Sequence, residues 1–127
     1  MSQDIKVLIV DGHPIVRQVL KMQIELAQGF SVIADTNTIL ETTTLITELK
    51  PDVILIDTDM PGVDGISTTR ELHQSFPQIP FLILALSEED EDTCLQAYNA
   101  GAAGFIKKDV NPTELIDTLR HLALTSK

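Results

Sequence analysis

Asp52-Val53-Ile54-Leu55-Ile56, running straight into Asp57-Thr58-Asp59-Met60-Pro61-Gly62, is the stretch on which the fold turns. Val53 to Ile56 are consecutive apolar residues, mostly β-branched, in a run too short for a helix. Such a run leaves no side for water and predicts a strand buried on both faces, as in a parallel sheet. The acidic segment after it is broken by Pro61 and Gly62, which predicts a loop. Moving outward, Phe81 to Leu86 (FLILAL) repeats the pattern, and Ile5 to Val10 (IKVLIV) does so ahead of Asp11-Gly12. Ser31 to Ala34 and Ala103 to Ile106 read as weaker, shorter strands.

Helical patterns fill the gaps. Pro14 suits a first helical turn, and Ile15, Val16, Val19, Leu20, Met22, Ile24 and Leu26 predict a broad inward face closed by Gly29. Asn37 or Thr38 caps the next helix, with Ile39, Leu40, Leu45, Ile46 and Leu49 inward. Asp64 caps a helix to about Ser75, and acidic Glu88 to Asp92 opens another, where negative charge favours the helix dipole. Asn111-Pro112-Thr113-Glu114 is a capping signal ahead of the stripe Leu115, Ile116, Leu119 and Leu122. Five alternations of strand and helix predict an α/β fold, a doubly wound (βα)5 parallel sheet covered on both sides.

The 127 residues fit one domain with an aliphatic core, because aromatic residues make up only 4%. Cys94 is the one cysteine, so no internal disulfide forms and a reducing, cytoplasmic setting is expected. No apolar run reaches the ~20 residues of a membrane helix, so no membrane partner is expected. The net charge of −10, from 19 acids against 9 Lys and Arg, repels phosphate backbones and argues against nucleic-acid binding by this chain alone.

Placement matters more than the total. Doubly wound sheets bind ligands outside the carboxyl ends of their strands. The residues that land there are Asp11, Asp57, Ser87 and Lys108. A single strand-terminal Asp is commonly a turn former, but two carboxylates, a hydroxyl and an ammonium at one edge form a chemical set. A carboxylate can attack phosphorus to give an acyl phosphate. Two anions must then meet, so Mg²⁺ held by carboxylates, a carbonyl and waters is expected. A lysine supplies a point charge to one phosphate oxygen and a hydroxyl donates to another. The chemistry calls for an Asp57 carboxyl exposed to attack.

Val10-Asp11, Leu55-Ile56-Asp57, Met60-Pro61-Gly62-Val63-Asp64-Gly65, Leu86-Ser87 and Gly104-Phe105-Ile106-Lys107-Lys108 together resemble the receiver domain of two-component response regulators, across essentially the whole chain. Asp11-Gly12-His13-Pro14-Ile15-Val16-Arg17 with Lys108-Asp109 is similar to the NarL/LuxR-type branch. The resemblance implies a flavodoxin-like sheet of strand order 2-1-3-4-5 and a single receiver domain over residues 1–127. The helix-turn-helix effector domain usual in that branch, which would bind DNA, is absent from this chain. Asp57 is then the phosphoacceptor, served by a histidine kinase or phosphotransfer protein. Mg²⁺ is held by Asp11, Asp57 and the backbone carbonyl of Asp59, and Lys108 contacts the phosphoryl group. Ser87 and Phe105 are switch residues that bias a face made of the last two helices and the strand between them, where partners or a second copy in a homodimer bind. The chain is expected to catalyse only its own phosphoryl transfer and dephosphorylation, and so not to be an enzyme in the ordinary sense.

The sequence departs from the family pattern at two places. Gly12 stands where a second acid usually ligates the metal, which weakens Mg²⁺ binding, and Glu88 stands where a small residue usually keeps the site open. Asp59 or Glu88 is a compensating acid. These departures also support an alternative, a degenerate receiver that acts as an interaction module without phosphorylation. Asp57-Thr58-Asp59 is similar as well to the Asp-x-Asp of haloacid-dehalogenase-type phosphatases, but it follows the third strand and lacks that motif's continuation. For His13, helix-entry packing ahead of Pro14 is expected over metal ligation. Cys94 is expected as a small buried hydrophobe, and His73 and His121 as surface residues.

Overall fold

The computed structural model describes residues 4–60, 63–85 and 91–125. Its elements alternate as β1 (Ile5–Val10), α1 (Pro14–Leu26), β2 (Phe30–Thr36), α2 (Ile39–Leu49), β3 (Val53–Asp57), α3 (Gly65–Ser75), β4 (Phe81–Ala85), α4 (Glu91–Asn99), β5 (Gly104–Lys107) and α5 (Pro112–Thr125). The five strands form one parallel sheet in the order β2-β1-β3-β4-β5. The segment after Asp57 is more ordered than the loop the sequence predicts: Asp59–Met60 and Val63–Asp64 pair as a two-rung antiparallel ribbon.

Every residue of β3 and β4 is buried, which is what their unbroken apolar runs require. β1, β3, β4 and β5 contribute alternate side chains to two cores. One holds Val7, Ile9, Leu55 and Leu84 beneath Leu20 and Ile24 of α1 and Leu115, Leu119 and Leu122 of α5. The other holds Leu8, Ile54, Ile56 and Ile83 beneath Ile46 of α2, Leu72 of α3 and Ala97 of α4. α1 and α5 therefore cover one face of the sheet, and α2, α3 and α4 cover the other. Caps form where the sequence places them. Thr38 Oγ1 accepts from the Glu41 amide at 3.2 Å, an Asp64 carboxylate oxygen from Ile66 at 3.0 Å, and Asn111 Oδ1 from Glu114 at 2.9 Å. No helix among the described residues is long and apolar enough to cross a membrane.

Several apolar positions turn out otherwise than expected. β2 extends beyond Ser31 to Ala34 in both directions, because Phe30 is buried opposite Ile5 and Thr36 pairs with Val10. On α1 only Leu20 and Ile24 are buried, while Ile15, Val19, Met22 and Leu26 are 46–80% exposed. A helix lying on a sheet buries one stripe at i, i+4 spacing, and this helix carries a second apolar stripe that the sheet cannot reach. On α2 the buried stripe is Thr42 and Ile46, leaving Leu40 and Leu49 exposed. Thr42 can be buried because its hydroxyl donates to the Thr38 carbonyl at 2.6 Å. His73 is half-buried and not a surface residue, because Gly101, at φ 106°, has no side chain; a Cβ there would sit 2.6 Å from the ring's Cγ.

The two stripes of α1 are separable by experiment. Ile24→Ala is expected to cost about 2–4 kcal/mol through the cavity it leaves. Leu26→Ala is expected to cost under ~0.5 kcal/mol. Urea denaturation of both variants checks the assignment.

Candidate functional site

The carboxyl ends of β1 and β3 lie side by side, with Val10 paired to Ile56, so the residues that follow them, Asp11 and Asp57, are neighbours. β5 ends two strands from β3. The Lys108 amide donates to the Ala85 carbonyl at 2.6 Å, which carries the parallel ladder one residue past β5. That anchor aims the side chain back over β4, and Lys108 Nζ donates to Asp57 Oδ2 at 2.9 Å. Asp11, Asp57 and Lys108, expected together from three distant stretches, do converge. Asp59 occupies the ribbon beside them. Ser87 and Glu88 lie outside the described residues.

Asp57 departs from expectation in one respect: it is 0% exposed. It closes the central, fully covered strand, and neighbouring side chains lie against its carboxylate. Gly65 explains part of the fit. Its amide donates to the Thr58 carbonyl at 3.2 Å, and a Cβ at position 65 would collide with the Asp57 carbonyl oxygen and lie 2.7 Å from Thr58 Cα. Only glycine lets α3 start this close to the Asp57 end of β3.

Asp11 is also buried. Its Oδ1 accepts from the His13 amide at 2.8 Å, a local turn that aspartate makes readily. Its Oδ2 has no hydrogen-bond partner among the described residues. Burial holds the Asp11 carboxyl above the usual carboxylate range; the negative charge of Asp57 adds to this, and the His13 amide and Lys108 oppose it.

His13 belongs to the site, against the expectation of mere packing at the helix entry. Its Nδ1 lies 3.2 Å from Asp11 Oδ1 and 3.5 Å from Asp57 Oδ2. The reason is local. His13 is the N-cap of α1 but makes no side-chain cap, and Pro14 follows at the first helical position, so the ring is left to turn toward the carboxylates. Arg17 and Asp35 were not singled out for the site from sequence. Arg17 Nη1 donates to the Asp11 carbonyl at 2.7 Å and its Nε to Asp35 Oδ1 at 3.0 Å. The available signal was helical: Arg17 lies one turn after His13, on the same side of α1.

Farther along the sheet edge, Phe105 is half-buried in β5, packed against the core that holds Ala97 and Ile83. It lines an open groove of about 610 Å³ with Glu91, Cys94, Ile106, Asp109 and Glu114. Cys94 is half-buried in this groove and is not a core residue.

Among the described residues, the site is a pair of buried carboxylates with an ammonium and an imidazole against them, and Asp11 Oδ2 has no partner. One ligand atom from each of Asp11, His13 and Asp57 lies within 4.8 Å of the others, a spacing that fits a cation held among them.

The response regulator receiver domain, as a family, matches residues 7–120. The chain is 32% identical over 123 residues to a nitrate/nitrite response regulator protein homolog of Haemophilus influenzae, covering 97% of this chain and 59% of that protein. It is 35% identical over 118 residues to the response regulator GacA of Pseudomonas aeruginosa, covering 93% and 55%. The chain thus spans little more than half the length of these relatives. Among solved structures, it matches a LuxR-family two-component response regulator from Aurantimonas with a TM-score of 0.90 at 30% identity, covering 97% of this chain and 87% of that one. The response regulator domain of Thermotoga maritima CheB matches with a TM-score of 0.85 at 29% identity, covering 96% and 98%.

The raised Asp11 carboxyl gives a pH signature in cation-free solution. Its folded-state value lies above its unfolded one. Its contribution to stability is therefore full below the unfolded value and lost as pH rises through the folded one. Asp11→Asn keeps the bond from the His13 amide and removes the buried charge. It is expected to stabilise the cation-free fold at neutral pH by on the order of 1 kcal/mol, with the gain shrinking toward pH 4. Thermal melts in chelator across that range check the sign.

Proposed function

This chain belongs to the response regulator receiver domain family, NarL/LuxR type, and on that premise we propose that it is a signalling switch phosphorylated on Asp57. The observation that carries the proposal is the 2.9 Å contact of Lys108 Nζ with the buried Asp57 carboxylate. An ammonium already seated on the nucleophile is in place to follow negative charge as it passes to a phosphoryl oxygen.

In this reading, an Asp57 oxygen attacks the phosphorus of a phosphohistidine on a histidine kinase or phosphotransfer protein. The phosphorus–nitrogen bond breaks, and the electron pair returns to the donor's imidazole. Asp11, Asp57 and the backbone carbonyl of Asp59 would hold Mg²⁺, which when bound offsets the charge of the two meeting anions. Arg17 ties the Asp11 carbonyl to Asp35 and keeps that carboxylate facing its neighbour. Because Asp57 is covered, a donor reaches it only as adjacent side chains shift, so access is part of the switch. Ser87 is assigned the hydroxyl contact to the product. The groove beside Phe105 is assigned to partners or a second copy, with output through a DNA-binding domain as the LuxR-type resemblance implies. Beyond its own phosphoryl transfer the chain is proposed to have no enzymatic turnover, and its setting is proposed to be the cytoplasm.

The covered Asp57 and the glycine at position 12 favour one second reading, an interaction module that works unphosphorylated. Acetyl phosphate with excess Mg²⁺ separates the two. The phosphoacceptor reading expects a gain of one phosphoryl mass, its absence in Asp57→Asn, and amide shifts around Phe105. Lys108→Ala is expected to slow the gain by about tenfold or more. A parent protein that takes up no phosphoryl group at saturating donor leaves the interaction module standing.

A further inference from the structure

The ion-pairing geometry around His13 has a use that phosphoryl transfer alone does not require. His13 Nδ1 and one oxygen from each of Asp11 and Asp57 all lie within 4.8 Å of one another. The imidazole contacts are 3.2 and 3.5 Å. The first is a hydrogen bond without an ion and the second is longer than one. Both distances also suit a shared ion. Ligand atoms about 2.0–2.2 Å from a shared tetrahedral ion are separated from each other by roughly 3.3–3.6 Å.

We propose that His13 Nδ1 is a ligand of the divalent cation in this pocket, so that the site favours a transition-metal ion of the Zn²⁺ class more than an all-oxygen site would. The donor set is the argument. Gly12 supplies no side-chain oxygen, and Asp11 Oδ2, on a side chain only 1% exposed, has no partner among the described residues. Two buried carboxylate oxygens and one imidazole nitrogen form a mixed set. Mg²⁺ prefers oxygen ligands and sheds water reluctantly, whereas imidazole suits Zn²⁺ and its neighbours in the first transition row. The ring is also held in advance. The His13 amide is bonded to Asp11 Oδ1 at 2.8 Å, the next residue is proline, and the ring is 48% exposed, which lets Nε2 carry the proton while Nδ1 faces the carboxylates. The proposal shares its carboxylates with the phosphoacceptor reading and rests on that reading's assignment of a cation between them.

The test is calorimetric titration of the untagged chain with Zn²⁺ and with Mg²⁺, alongside His13→Ala, His13→Gln and Gly12→Asp. Co²⁺ serves as the spectroscopic probe. Loss of His13 in either variant is expected to weaken Zn²⁺ by about tenfold or more and to change Mg²⁺ by under about twofold. Gly12→Asp is expected to tighten Mg²⁺ by about tenfold and narrow the preference. Co²⁺ is expected to shift imidazole proton resonances in the parent that vanish from His13→Gln. The proposal is overturned if both His13 variants bind Zn²⁺ as the parent does, or if they bind both ions more tightly, which would make His13 a competing cation. Mass measurement of acetyl phosphate labelling in the same samples keeps the two readings apart: an unlabelled parent with His13-dependent Zn²⁺ binding sinks only the phosphoacceptor.

Discussion

The buried ion pair between Asp57 and Lys108 is the constraint around which the rest of the molecule is arranged. A carboxylate without exposure is costly unless it is paired, and its partner comes from a residue 51 positions later in the chain. The pair closes only if β3, β4 and β5 lie in parallel register, so that the ends of the strands arrive level. The aliphatic strands meet this requirement. Val53 to Ile56 and Phe81 to Ala85 put only apolar side chains into the two central strands, and Asp11, Asp57 and Lys108 meet at their carboxyl end.

A second layer of contacts keeps that edge in place. Arg17 reaches from α1 to the Asp11 carbonyl and to Asp35 at the end of β2, so the outer strand helps to hold a group at the centre. His13, which makes no side-chain cap for its own helix, turns Nδ1 toward both acids. The site is thus assembled from backbone register first and side-chain pairing second. Asp11 Oδ2, which has no partner among the described residues, is the point at which the assembly is short of positive charge.

Much of this was legible in the sequence because it is local or follows from strand periodicity. Continuous apolar runs such as Val53 to Ile56 announce buried parallel strands. Thr38, Asp64 and Asn111 announce helix starts through bonds that span two or three residues. Asp11 and Lys108 each directly follow a strand and Asp57 ends one, and the sheet does the rest. What was illegible depends on distances between elements. Ile15 and Leu26 look like core residues until the sheet selects the stripe of Leu20 and Ile24. The Arg17–Asp35 bond links α1 to β2 and has no sequence marker. The burial of His73 is decided by a missing side chain on Gly101, 28 positions away by their numbers. Asp57 reads as an open nucleophile, and its coverage becomes visible only when its neighbours are in place.

Gly65 has no side chain to react and carries no charge, yet it stands where a single methyl would strike the carbonyl of the residue proposed to be modified. The position is therefore a mechanical stop. A survey scoring every substitution by signalling output would rank it beside the reacting groups, although its part is only to leave room. Intolerance there measures clearance, and a chemist searching such data for catalysts would be led to a residue with nothing to react.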